Sequence, residues 1–181
     1  MFLTSVLCVV AATSAAWASP VASTKRAACK GNKAIDNFSS WANKTNSLGA
    51  VSGDDKTMAA ISVSNSTISL TPKAGAYFYE NLPCEDAAAD GYRALSFKLG
   101  GPPEASFLIE LQTKASCNAT THTSTYHNVS VPAGTTPGTV TVPLADFTNA
   151  TLSAVSSFTF STFNRTDGAY TLSDLELVCG K

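Results

Sequence analysis

Apolar and polar residues alternate with a period of two along much of this chain, a pattern that suits β-strands burying one face and little else. Leu95, Phe97 and Leu99 alternate with Ala94, Ser96 and Lys98, and Phe107, Ile109 and Leu111 with Leu108, Glu110 and Gln112. Phe158 and Phe160 oppose Ser157, Thr159 and Ser161, while Leu175 and Leu177 oppose Asp174, Glu176 and Val178. The pattern predicts strands over residues 34–38, 58–64, 67–72, 76–80, 94–99, 107–113, 125–131, 139–143, 157–163 and 171–178. Gly53-Asp54-Asp55, Gly100-Gly101-Pro102-Pro103, Pro132-Ala133-Gly134 and Asp167-Gly168 supply turn residues between them. The one helical candidate, residues 86–90, is too short to stand alone. About ten strands with no room for crossover helices predict an all-β, antiparallel β-sandwich whose outward polar faces could receive a ligand.

Residues 3–17 carry no charge, and their apolar stretch at 6–12 is too short to cross a bilayer but suits a signal peptide. Ala16-Trp17-Ala18 is the small-residue pattern a signal peptidase reads, so cleavage after Ala18 is expected, although no basic residue precedes the apolar stretch. Lys25-Arg26 is a pair of the kind cut by kexin-like proteases; the competing reading is two solvated charges in a flexible leader. The expected organisation is therefore a signal peptide over 1–18, a short pro-segment over 19–26, and one β-sandwich domain over 27–181. Losing Lys25 and Arg26 leaves ten basic residues against 13 acidic ones, a balance that argues against nucleic acid and anionic membrane as partners. Residues 175–181 lack the hydrophobic tail of a lipid-anchor signal. A secreted, extracellular, soluble monomer is expected.

Of the five cysteines, Cys8 falls in the signal segment, leaving Cys29, Cys84, Cys117 and Cys179. An even number in an exported chain implies disulfides. Three pairings are possible; because chain ends often lie close together, Cys29–Cys179 with Cys84–Cys117 is expected. No two of these cysteines are two to four residues apart, which disfavours zinc. Seven N-glycosylation sequons begin at Asn37, Asn43, Asn65, Asn118, Asn128, Asn149 and Asn164, and each one used must be on the surface.

Ile35-Asp36-Asn37-Phe38 resembles the opening strand of galactose-binding-like jelly-roll carbohydrate-binding modules, as found in fungal secreted proteins, sometimes beside polysaccharide deacetylases. The runs from Tyr92 to Leu99 and from Ser106 to Thr113 resemble the paired central strands of those modules. Val142-Pro143-Leu144-Ala145-Asp146-Phe147, the run from Val155 to Phe160, and the run from Leu172 to Leu177 resemble their closing sequence. The resemblance runs from Asp36 to Val178 and implies a jelly roll. It further implies a structural calcium between the first and last strands, with Asp36 and Asp174 in the matching positions; two solvated aspartates are the alternative.

Sugar recognition needs aromatic faces for pyranose C–H surfaces and planar polar groups for paired hydroxyls. Tyr77 and Tyr79 share one side of a strand, and Glu110 and Gln112 share the outward side of another. Tyr92 and Arg93 lie just ahead of the neighbouring run, and Tyr126 and Phe163 could complete a platform. The competing reading makes the tyrosines core residues with hydroxyls at the rim and Glu110 a solvated charge. Trp41 is the one tryptophan after the leader, fewer than sugar-binding modules often use.

Enzyme chemistry finds little support. Glycoside hydrolysis needs two facing carboxylates, and the five glutamates (Glu80, Glu85, Glu104, Glu110 and Glu176) show no spacing that groups them. Residues 72–77 loosely resemble a strand of jelly-roll polysaccharide lyases whose partner strands are missing here. His122 and His127, five apart, would point to opposite faces and read as exposed loop histidines. No nucleophile elbow or phosphate-binding glycine loop is present. The expected function is a non-catalytic carbohydrate-binding protein recognising a cell-wall or extracellular polysaccharide, with no required cofactor. The alternatives are a secreted cell-surface structural or protein-interaction protein and, further off, a small jelly-roll glycan hydrolase or lyase.

Overall fold

The computed structural model describes residues 29–134 and 136–180; the expected signal peptide, pro-segment and Lys25-Arg26 processing pair lie outside them. Eleven strands build two antiparallel sheets: β1 (Lys33–Asp36), β2 (Ser52–Gly53), β3 (Ala60–Ser64), β4 (Thr67–Thr71), β5 (Tyr77–Glu85), β6 (Tyr92–Gly100), β7 (Ser106–Lys114), β8 (His122–Ser130), β9 (Gly138–Pro143), β10 (Val155–Ser161) and β11 (Tyr170–Cys179). One sheet runs β3-β4-β11-β6-β9, with β1 also paired to β11; the other runs β2-β5-β10-β7-β8. Every expected strand is present. The additional one, β2, is two residues long and leaves no periodic trace in the sequence. β8 begins at His122, three residues early, because its first residues are polar.

The alternating pattern gives the faces directly. Leu95, Phe97, Leu99, Phe107, Ile109, Leu111, Phe158, Phe160, Leu175 and Leu177 are all buried between the sheets. Phe160 sits at the centre, its ring 6.0 Å from Phe78, 5.8 Å from Phe97 and 5.9 Å from Phe107, so it touches aromatic residues of both sheets. Trp41 packs over Phe78 at 5.8 Å, with the Lys44 ammonium 3.3 Å from its ring centre, and is thereby part of the core boundary.

The two runs expected to be paired central strands lie in different sheets. β6 pairs with β11 and β9, whereas β7 pairs with β10 and β8. The short connection between them crosses from one sheet to the other, as sandwich topologies allow for strands adjacent in sequence.

Cys29 is bonded to Cys179 and Cys84 to Cys117, closing loops of 150 and 33 residues. In the chain-entropy model such bridges stabilise by about 3–5 kcal/mol each. All seven sequon asparagines have exposed side chains. Among the described residues no helix is long and apolar enough to cross a membrane.

Candidate functional site

The outward face of the β2-β5-β10-β7-β8 sheet forms a groove, and strand register explains its shape. One cross-strand row reads Gly53, Tyr79, Thr159, Glu110, Tyr126. The rows on either side read Tyr77, Ser161, Leu108, Asn128 and Asn81, Ser157, Gln112, Ser124. The middle strand, β10, thus presents only small side chains, Ser157, Thr159 and Ser161, between larger ones on β5 and β7. The result is a trench along β10 with a volume of 440 Å³, about 10 Å wide between the flanking backbones. It continues past Asn81, Gln112 and Ser157 into a depression bounded by Lys114, Thr120 and His122. Five of the seven residues expected to bind ligand meet on this face: Tyr77, Tyr79, Glu110, Gln112 and Tyr126. Tyr77 and Tyr79 are half-buried outward residues, not core residues.

Their position is set by the turn after β2. The hydroxyls of Tyr77 and Tyr79 donate to the two oxygens of the Asp55 carboxylate, at 2.8 and 3.1 Å, and the rings lie 6.3 Å apart, tilted by 31°. That hydrogen bond to Asp55, foremost for Tyr77, and burial, foremost for Tyr79, raise both phenols above their ordinary pKa, so both remain protonated donors. Gly53 makes room for this arrangement, because a Cβ there would stand 2.9 Å from the Tyr79 hydroxyl oxygen. Asp55 and Lys56 both adopt positive φ, 48° and 64°, to turn the carboxylate toward the rings. On the other wall, Glu110 Oε1 accepts from Gln112 Nε2 at 2.9 Å and from Ser124 Oγ at 2.5 Å. Asp55→Ala should weaken ligand binding about tenfold by freeing two ordered side chains at roughly 0.5–1.5 kcal/mol each. The melting temperature should hold within a degree or two, since Asp55 is exposed; titration calorimetry beside a thermal melt checks both.

Tyr92, Arg93 and Phe163 lie elsewhere. Tyr92 is buried and Arg93 donates to the Tyr92 carbonyl at 3.3 Å; both belong to β6, hence to the other sheet, beside Leu144, Ala145 and Leu152. Phe163 packs on Phe107 and Tyr170, at 5.5 and 4.9 Å, at the end of the sandwich. The histidines are strand residues and not loop residues. His127 is half-buried against Phe147, and His122 lies at the far end of the groove.

The structure does not bring the Asp36 and Asp174 carboxylates together as the resemblance implies. Asp174 follows a register shift in β11, has a φ of 53°, and extends into solvent to pair with Lys98 at 2.8 Å. Asp36 is buried, accepting from the Phe38 amide at 2.8 Å and the Ser47 hydroxyl at 3.3 Å. Calcium takes six to eight oxygens from one enclosure, and these two carboxylates face away from each other. Among the described residues no three acidic, histidine or cysteine side chains cluster to hold a metal.

What Asp36 faces instead is Glu80. Glu80 points inward from β5, with the same parity as Phe78 and Leu82, and is fully buried. Its oxygens accept from Ser52 Oγ at 2.9 Å and Asn46 Nδ2 at 3.1 Å. Burial, and then the negative charge of Asp36, push its pKa up to about 9, and burial raises Asp36 as well. Asp36 Oδ2 is buried with no hydrogen-bond partner, and a protonated Glu80 would supply the missing donor. Glu85 ends β5 as a buried residue paired with Lys33.

No protein-family model matches the chain, and no curated protein matches it. Solved structures do. A family 11 carbohydrate-binding module from Clostridium thermocellum, in complex with a β-1,3-1,4-mixed-linked tetrasaccharide, is 17% identical. The match covers 85% of this chain and 98% of that one, with a TM-score of 0.57. The family 11 module of a cellulosomal cellulase of the same organism is 16% identical, with coverage of 85% and 97% and a TM-score of 0.57. A family 30 carbohydrate-binding module is 15% identical, with coverage of 82% and 99% and a TM-score of 0.52. At this identity the likeness is one of fold: this chain has the β-sandwich of carbohydrate-binding modules.

Proposed function

We propose that the protein is a secreted, non-catalytic carbohydrate-binding module of the galactose-binding-like jelly-roll type, holding a stretch of cell-wall or extracellular polysaccharide in the trench along β10. The observation that carries the reading is the trench itself: two tyrosines fixed on one wall, planar Glu110 and Gln112 on the other, and a floor of small hydroxyl residues. Tyrosine rings suit pyranose C–H faces, and planar polar groups suit adjacent hydroxyls. The carbohydrate-binding modules that share this sandwich support it by analogy of fold. So do the disulfides, which persist in oxidising compartments outside the cytosol. The trench lining contains one carboxylate, Glu110, where glycoside hydrolysis uses two.

The test is a pull-down on insoluble chitin, β-glucan and cellulose, followed by titration of soluble oligomers against the native protein and Tyr79→Ala. Losing an aromatic contact residue should weaken binding about tenfold or more without unfolding the domain. Release of reducing sugar or unsaturated product from any of these glycans would replace the binding reading with an enzymatic one. Failure to bind any of them would put a surface protein-interaction role first.

A further inference from the structure

We infer that the trench selects a glycan carrying free, protonated amines, a polymer of 2-amino sugars, over neutral or acidic glycans. The inference rests on the trench being the glycan site, and comes from the one carboxylate on its wall, which no ion pair involves among the described residues, and the acceptors beside it. Several of the donors that a sugar's oxygen atoms would need are already engaged within the protein. The hydroxyls of Tyr77 and Tyr79 both donate to Asp55. Gln112 Nε2 and Ser124 Oγ both donate to Glu110 Oε1. Ser157 Oγ donates to the Glu80 carbonyl at 3.1 Å. The donors of Asn81, Thr159 and Ser161 and the second N–H of Gln112 are not engaged in these contacts.

On the wall around Glu110 the trench offers acceptors: the second oxygen of Glu110, the Gln112 carbonyl oxygen, and the lone pairs of the tyrosine and serine hydroxyls. An ammonium group, with three donors and no acceptor, answers such a lining better than a hydroxyl, and an N-acetyl or carboxylate group answers it worse. Charge points the same way. Glu110 is the one carboxylate among the residues lining the trench, and among the described residues no ion pair involves it. Covering a carboxylate with a neutral ring removes its water without supplying a counter-charge, whereas a sugar ammonium supplies one. An acidic glycan would meet repulsion at the same place. Tyr77 and Tyr79 add ring faces that attract cations. Lys114, with His122 beside it, stands at the far end of the groove, beyond the rows that contain Glu110 and the tyrosines.

The experiment is isothermal titration of the native protein with β-1,4-linked hexamers of glucosamine, N-acetylglucosamine and glucose, on the acidic side of neutrality where the amine is protonated. The glucosamine hexamer should bind at least about tenfold more tightly than the other two, the margin of one charge-assisted contact. The preference should shrink as salt is raised. Glu110→Gln keeps both acceptor contacts of Oε1, so it should melt like the native protein and lose the preference. Equal affinity for the three hexamers, or a preference that survives Glu110→Gln, overturns the inference and leaves the trench as a glycan site. If that variant does not fold, an effect of salt on the native protein's preference decides in its place: a preference unchanged by salt overturns the inference. No binding of any hexamer overturns the inference, and the pull-down on chitin, β-glucan and cellulose then decides the glycan reading.

Discussion

Glu80→Gln is expected to leave the fold intact and to remove most of its sensitivity to alkaline pH. Burial and the Asp36 charge push the Glu80 carboxyl up to about 9, from an ordinary value of 4.5 in the unfolded chain. Unfolding between these values therefore releases a proton. The stabilisation this group provides is complete below the unfolded value and is lost as pH rises through about 9, at up to about 1.4 kcal/mol per pH unit. Asp36, raised by the same burial, adds in the same direction. Thermal melts from pH 5 to pH 9 should show a steady fall in the melting temperature of the native protein. Glutamine can accept from Asn46 through its one oxygen and turn its amide nitrogen to the Ser52 hydroxyl, which can rotate to accept, without carrying a titratable proton. The variant should therefore be flatter in pH and more stable at pH 8–9. A variant less stable than native at every pH would show that the pair is held by something other than a proton. A cation would be the first candidate, and a chelator melt would reveal it.

Phe160→Ala should be among the most damaging single substitutions in the chain. The ring bridges three others across both sheets and is fully buried, so truncation loses the transfer free energy and opens a cavity that rigid neighbours fill poorly. The expected cost is about 3–5 kcal/mol, which corresponds to roughly 6–20 °C in melting temperature for a domain of this size. The adjacent Ser161 points the other way, into the trench, and Ser161→Ala should change stability by no more than about 0.5 kcal/mol. If the two variants melted alike, the assignment of faces on β10, and with it the trench, would be wrong.

That contrast shows what local sequence carries. Parity along a strand depends only on neighbours two residues apart, so the outward positions of Tyr77, Tyr79, Glu110, Gln112 and Tyr126 are readable from the alternation alone. Pairing between strands depends on the whole chain. Tyr92 and Arg93 look close to Glu110 because their runs are consecutive, yet the connection between β6 and β7 changes sheet. For the same reason Ser157, Thr159 and Ser161 are recognisable as polar-side residues but not as a floor until β10 is seen between β5 and β7. Glu80 is a different case. Its parity with Phe78 and Leu82 already places it inward, and what has no local signal is the set of partners that meets it there, Asn46, Ser52 and Asp36. The role of Asp55 has no local signal, since it depends on a turn meeting two tyrosines more than twenty residues away.

The bridge between Cys29 and Cys179 has a mechanical consequence. All eleven strands lie between the two bonded cysteines. Tension applied to both ends of the chain passes through one sulfur–sulfur bond, so the strand ladders of neither sheet stand in series with the load. A domain held at one end and dragged by a bound polymer is loaded differently, through its trench, and the bridge gives no such shielding there. Pulled end to end, the oxidised protein should show almost no unfolding extension, whereas the reduced protein should unravel.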